Sequence, residues 1–107
     1  MGQQIVGFVH LCPARDPDSS VDTGEVASIY LDPGYWRQGI GSELLNWAET
    51  QARQHDWNAL VLYVLDSNSQ ARAFYESADW FDDNIEKEDE IGGQRVVEIR
   101  YRKLLNS

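Results

Sequence analysis

Two glycines, Gly39 and Gly41, stand in the stretch "YWRQGIGSELL", at the mouth of a run whose apolar residues recur at helical spacing. Glycine costs roughly 1 kcal/mol against alanine inside a helix, so a pair of them at a helix start asks for a chemical or steric reason. The first turn of a helix has backbone N–H groups without intrahelical partners, and the helix dipole adds partial positive charge there. Glycines in that turn let a phosphate approach those N–H groups and permit the backbone angles of an anion nest. The alternative is a turn that only lets helix and strand pack closely. No lysine follows Gly41, which sets aside the nucleotide triphosphatase loop, and Leu44 stands where a dinucleotide fingerprint has its third glycine.

Other residue types that do chemistry are sparse. Cys12 is the only cysteine, so it has no internal disulfide partner, and no metal-ligand spacing surrounds it. That agrees with a reducing compartment. His10 and His55 are the only histidines, and neither lies at ligand spacing with another metal-binding group. His55 suits a helix C-terminus, and His10 is either a strand residue or a group facing an acceptor cleft. The run "EKEDE", residues 86 to 90, is either a solvated hairpin loop or an attractor of a cationic acceptor.

The elements that must position these groups follow from periodicity. "QQIVGFVHL" alternates as a strand, with Ile5, Gly7, Val9 and Leu11 on one face and Val6, Phe8 and His10 on the other. "CPARDPDSSVDTG" is a loop and "EVASIYL" a second strand, antiparallel to the first because the connection holds no helix. From Ile40 to about His55, Ile40, Leu44, Leu45, Trp47, Ala48 and Ala52 predict a helix packed on one face. "ALVLYVL", residues 59 to 65, is a central strand, and strand, helix, strand implies a parallel pair with a right-handed crossover. A capping box from Ser67 to Gln70 opens a second helix with Ala71, Phe74, Tyr75 and Ala78 along one stripe. "DWFDDN" is a short strand, "IEKEDEIGG" an acidic loop, and "QRVVEIRYRKLL" an antiparallel strand.

At 107 residues with 42% hydrophobic content, the chain fits a single domain spanning residues 1 to 107. No apolar run reaches the ~20 residues of a bilayer span, and the start lacks a secretory pattern, so a cytoplasmic, membrane-free protein is expected. Nine basic against eighteen acidic residues give a net charge of -9, which disfavours nucleic acid and favours a cationic or neutral substrate.

"LDPGYWRQGIGSELLNWAE" resembles the acetyl-coenzyme A signature of the GNAT N-acetyltransferase superfamily, in which Gln or Arg stands three residues before a G-x-G or G-x-A turn. "NSQARAFYESADW" is similar to its downstream N, A, FYE, GF segment. The resemblance covers residues 4 to 105 and implies an α/β fold with a mixed, mostly antiparallel sheet, one parallel strand-helix-strand unit and helices on its faces. It implies that the amides of Gln38, Gly39, Ile40, Gly41 and Ser42 hold the pyrophosphate of acetyl-coenzyme A, with Arg37 beside it. The strand "ASIYL", through Ile29, Tyr30 and Leu31, would pair with the pantetheine arm, and Asn68 and Phe74 would line the channel near the thioester. Trp36 replaces the usual Gln or Arg, and Asp79-Trp80 replaces the usual GF. The strand, two helices and further strand that normally precede the hairpin in the family are not in this sequence, which suggests a fragment, a short form or a second chain as the missing wall.

The same resemblance assigns Tyr75 as the acid that protonates the departing thiolate, and Glu25 as the base that takes the amine proton directly or through water. A phenol's ordinary pKa near 10 is close to a thiol's, which suits the first role. Acetyl transfer to a primary amine, in a small molecule or a peptide, without a metal, is the expected activity. A non-catalytic coenzyme A-binding or assembly module is the alternative. With no preceding helices to cover the sheet, a homodimer is expected.

Overall fold

A computed structural model describes residues 7–16, 22–31 and 39–105. Chain order is β1 (Gly7–Pro13), β2 (Thr23–Leu31), α1 (Ile40–Gln54), β3 (Ala59–Leu65), α2 (Ser69–Ser77), β4 (Phe81–Ile91) and β5 (Gln94–Leu104). The strands form one sheet in the order β1-β2-β3-β5-β4, with β2 parallel to β3 and the other neighbours antiparallel.

Two crossovers run in the same direction along this sheet, from β2 through α1 to β3 and from β3 through α2 to β4. Right-handed crossovers in one direction leave their helices on one face. Two contacts on β5 show it. Tyr101 donates its hydroxyl to Glu76 of α2 at 2.6 Å, and Lys103, two residues on and on the same face, donates to Glu49 of α1 at 3.1 Å. Between helices and sheet lies the core: Val26, Leu45, Ala48, Ala52, Leu60, Leu62, Val64, Tyr75, Trp80, Ile99 and Tyr101. The stripe of α1 is Leu45, Ala48 and Ala52. Trp47, expected on it, is 50% exposed, and Glu49 is buried in its place, paired with Lys103 and Arg53. Gly24 faces this side, where a Cβ would overlap the Trp57 ring.

Several boundaries differ from those expected. β1 continues through Cys12 to Pro13 and β2 begins at Thr23, so the connecting loop is shorter. Residues 3 to 6 of the expected first strand lie outside the described residues. Asn68, not Ser67, caps α2, its side-chain oxygen accepting from the Ala71 N–H at 3.1 Å. The largest difference is the acidic segment. β4 runs from Phe81 to Ile91 with an irregularity in its pairing between Asp82 and Glu86, and Gly92 and Gly93, both at positive φ, make a two-residue hairpin turn into β5. An edge strand exposed on both faces has no apolar alternation to betray it, and its charges suit an edge that must not pair with another chain.

Candidate functional site: a split between parallel strands

β2 and β3 pair at Thr23 with Ala59, Gly24 with Leu60, and Glu25 with Val61. Beyond Glu25, β2 stays with β1 as far as Leu31, while beyond Val61, β3 stays with β5 as far as Leu65. The strands part at their C-terminal ends. A bulge in β2 lies at the parting: Val26 faces Leu11 and Ser28 faces His10, so Ala27 is an extra residue that bends the strand. The backbone N–H and C=O groups on the two facing edges are thereby released from each other, and such groups need other partners.

Both helices start at this end of the sheet, since each follows the C-terminal end of one of the parting strands. Gly39 caps α1 at φ 80°, a left-handed conformation that favours glycine, and has no side chain to cap with. The first helical bond runs from the Glu43 N–H to the Gly39 carbonyl at 3.1 Å. The N–H groups of Ile40, Gly41 and Ser42 therefore have no intrahelical partner. Ser42 is exposed, and Ile40 and Gly41 are half-buried. Arg37 and Gln38 lie outside the described residues.

The side chains near the split divide between the two faces of the sheet. Ile29 packs against the core on the helix side. Tyr30 points to the opposite face, 43% exposed and stacked on Phe8 at 5.7 Å. Leu31 ends the strand opposite Gly7. On α2, half-buried Phe74 lies 5.4 Å from the ring of Tyr75, which is 7% exposed and walled by Trp80 at 6.0 Å and Tyr101 at 6.2 Å. Burial pushes the Tyr75 phenol up from its ordinary pKa. Trp80 Nε1 is buried without a hydrogen-bond partner among the described residues.

Glu25 shares the face of its pairing partner Val61, away from the helices, and is 5% exposed. Its carboxylate accepts from the Arg15 N–H at 3.3 Å and from the Arg15 guanidinium at 2.8 Å. Glu25 and Tyr75 thus lie on opposite sides of the sheet, with the split between the strands that carry this face. Sequence reasoning missed the network beside Glu25. Tyr63 donates to Asp16 at 2.7 Å, and Arg100, 3% exposed, donates to Asp16 at 3.0 Å and to Asp83 at 2.6 Å. Arg102 also donates to Asp83, and Lys87 lies 4.1 Å above the Tyr63 ring. The available signal was a single hydroxyl in "ALVLYVL" and an arginine at the middle of β5. Among the described residues, no group of three or more His, Cys, Asp or Glu gathers as a metal site, and no helix is long and apolar enough to cross a membrane.

Residues 1–80 match the acetyltransferase (GNAT) family. An uncharacterized N-acetyltransferase of Lactobacillus delbrueckii subsp. lactis is 29% identical over 76 residues, which are 69% of this chain and 44% of that protein. Among solved structures, the ribosomal-protein-alanine N-acetyltransferase of Brucella melitensis superposes with TM-score 0.81 at 21% identity, over 95% of this chain and 63% of that one. The ribosomal-protein-S18-alanine N-acetyltransferase of Escherichia coli gives 0.73 at 23%, over 95% and 63%. A Salmonella typhimurium protein solved with its cofactor acetyl-CoA gives 0.79 at 18%, over 94% and 58%. These likenesses establish the fold, and the chain spans less than half of the curated relative and about three fifths of these structures.

Tyr63 makes the site sensitive to alkali. Burial first, then the hydrogen bond and charge of Asp16, push its pKa up to about 12, against the smaller opposing pull of Arg100. An unfolded chain releases the phenolic proton near pH 10 while the folded chain still holds it, so stability falls as pH rises from about 10 towards 12. Urea unfolding across this range should show that loss, and Tyr63→Phe should flatten the slope. An identical slope in the variant would contradict the assignment.

Proposed function

The chain belongs to the acetyltransferase (GNAT) family, and on that premise we propose that it transfers acetyl from acetyl-coenzyme A to a primary amine by direct attack in a ternary complex. What supports this most directly is the parting of β2 and β3 at the end of the sheet where α1 begins. A pantetheine arm is an extended chain carrying amide groups, and the edge of β2 from Val26 to Leu31 offers it the main-chain partners that an added strand would use, Ile29, Tyr30 and Leu31 among them. The N–H groups of Ile40, Gly41 and Ser42, which lack intrahelical partners, suit a pyrophosphate, and contacts from Gly39, Gln38 and Arg37 are part of the same proposal. Bound acetyl-coenzyme A supplies the activated acetyl group and the thiolate leaving group.

The chain's own residues then have the remaining tasks. Tyr75, its pKa raised by burial, stays protonated at neutral pH and is the proton donor for the thiolate. Phe74 and Asn68 line the approach. The Asn68 carbonyl is engaged in capping α2, so its amide nitrogen is the atom left for a ligand. Glu25 is the base. Both its oxygens accept from Arg15, so it takes the amine proton through water. That engagement is also what favours the second reading, a coenzyme A-binding module without turnover. The Brucella and Escherichia relatives are named for acetylating an alanine, and an amine nucleophile is the part carried over here. With a net charge of -9, a small amine or a peptide is a better acceptor than nucleic acid.

Calorimetry with acetyl-coenzyme A tests cofactor binding. Gly41→Glu puts a side chain and a negative charge among the first-turn N–H groups and should weaken binding about 100-fold or more with the circular dichroism spectrum retained. Unchanged affinity would exclude α1 as the anion site. Tyr75→Phe should preserve binding and slow turnover of an amine panel about 100-fold. Equal turnover with chemistry shown to be limiting would remove Tyr75 as the acid.

A further inference from the structure

Arg15 and Asp16 are adjacent in the chain and hold different strands. Arg15 grips Glu25, the β2 residue in the last pair with β3. Asp16 accepts from the hydroxyl of Tyr63, which lies two residues beyond Val61 on the same face of β3, past the point where pairing with β2 ends. The dipeptide therefore reaches from one parting strand to the other where backbone hydrogen bonding between them ends. We propose that Arg15-Asp16 is a positioning bridge that sets how far β2 and β3 open, and with it the geometry of the acetyl-coenzyme A cleft. This rests on the assignment of the split as that cleft.

Three features give the bridge stiffness. Consecutive Cα atoms are about 3.8 Å apart, and Arg15 holds Glu25 through its backbone N–H as well as its guanidinium, which ties the near grip to the same short piece of main chain that carries Asp16. Asp16 also accepts from Arg100 at 3.0 Å, making that grip charge-assisted. Arg100 is itself immobilised, 3% exposed and held from the far side by Asp83, while Lys87 of β4 covers the Tyr63 ring. The far anchor is thus built into β3, β4 and β5, and the near anchor into β2. Apart from Glu25, none of these groups needs to touch a reacting atom. They act through the strands that carry Ile29 to Leu31 on one bank and Tyr63 to Leu65 on the other.

On the face without helices the bridge also spans the closed end of the split. An amine arriving from that side must enter farther out, past Tyr63 and alongside Ser28 and Tyr30, which are exposed there. The bridge therefore decides where the nucleophile meets the thioester as well as how wide the opening is. A displacement near 1 Å in such an arrangement can slow a reaction about 100-fold.

The opening can be read without activity. Spin labels at Ser28→Cys and Asp66→Cys, in a Cys12→Ser background, report the distance between the outer ends of β2 and β3 by double electron-electron resonance. One narrow distribution is expected for the otherwise unaltered chain. Asp16→Ala or Tyr63→Phe should broaden it and move it to longer distance, with the double variant no worse than the stronger single one, as members of one linkage behave. The same substitutions without labels should lower kcat/KM for the amine about 10- to 100-fold at a temperature where the variants remain folded, more than any change in melting accounts for. Superimposable distance distributions in folded variants overturn the bridge. Failure of the chain to bind acetyl-coenzyme A would instead refute the cleft assignment, and the distance measurement would still decide whether the dipeptide holds the strands together.

Discussion

A strand that leaves its neighbour must give its N–H and C=O groups to something else, and the parting of β2 from β3 imposes that demand on the middle of the sheet. Much of the structure answers to it. Ala27 is the extra residue that bends β2 at the parting, and pairing with β1 and β5 keeps each strand extended after the two diverge. Because α1 and α2 each follow the C-terminal end of one of these strands, the helix dipoles are directed to the same end as the open edges. An extended ligand with an anionic end matches that combination, because open strand edges satisfy its amides and the start of α1 satisfies its charge.

The helices share one face, and the two sides of the sheet are held by different forces. On the helix side Leu60, Leu62, Val64, Ile99 and Tyr101 meet Leu45, Ala48, Ala52 and Tyr75, and apolar burial stabilises the contact. On the other side Arg100 is nearly inaccessible and is paired with Asp16 and Asp83. Removing one partner of a buried pair of this kind costs about 3–5 kcal/mol in proteins generally, so the network specifies its geometry even where its net stabilisation is small. The irregular stretch of β4 between Asp82 and Glu86 contains Asp83, the residue that meets Arg100 and Arg102.

Helical periodicity with a glycine pair at its start made α1 readable from sequence, and the apolar run 59 to 65 did the same for β3. The two strands flanking the long loop and the parallel unit were legible for the same reason. Other features left no local trace. β4 is exposed on both faces, so its pairing with β5 depends on backbone bonds that side-chain pattern does not encode. Asn68 and Ser67 are both good caps, and the choice between them depends on backbone angles. The bulge at Ala27 breaks alternation by one residue inside a short strand. The Asp16, Tyr63 and Arg100 cluster joins positions 47 and 84 residues apart, a conjunction visible only once β3 and β5 are adjacent. At the candidate site the sequence located the glycine turn and the α2 aromatics, while the Arg15 grip on Glu25 came only from the fold.

Amide hydrogen exchange with and without acetyl-coenzyme A tests the central claim most directly, because it reads whether the parted edges acquire partners. Binding should slow exchange for amides of residues 26 to 31 and of the first turn of α1, and leave the outer half of the β4-β5 hairpin unchanged. Saturating acetyl-coenzyme A without added protection in those two segments, or with protection confined to β4 and β5, would contradict the account.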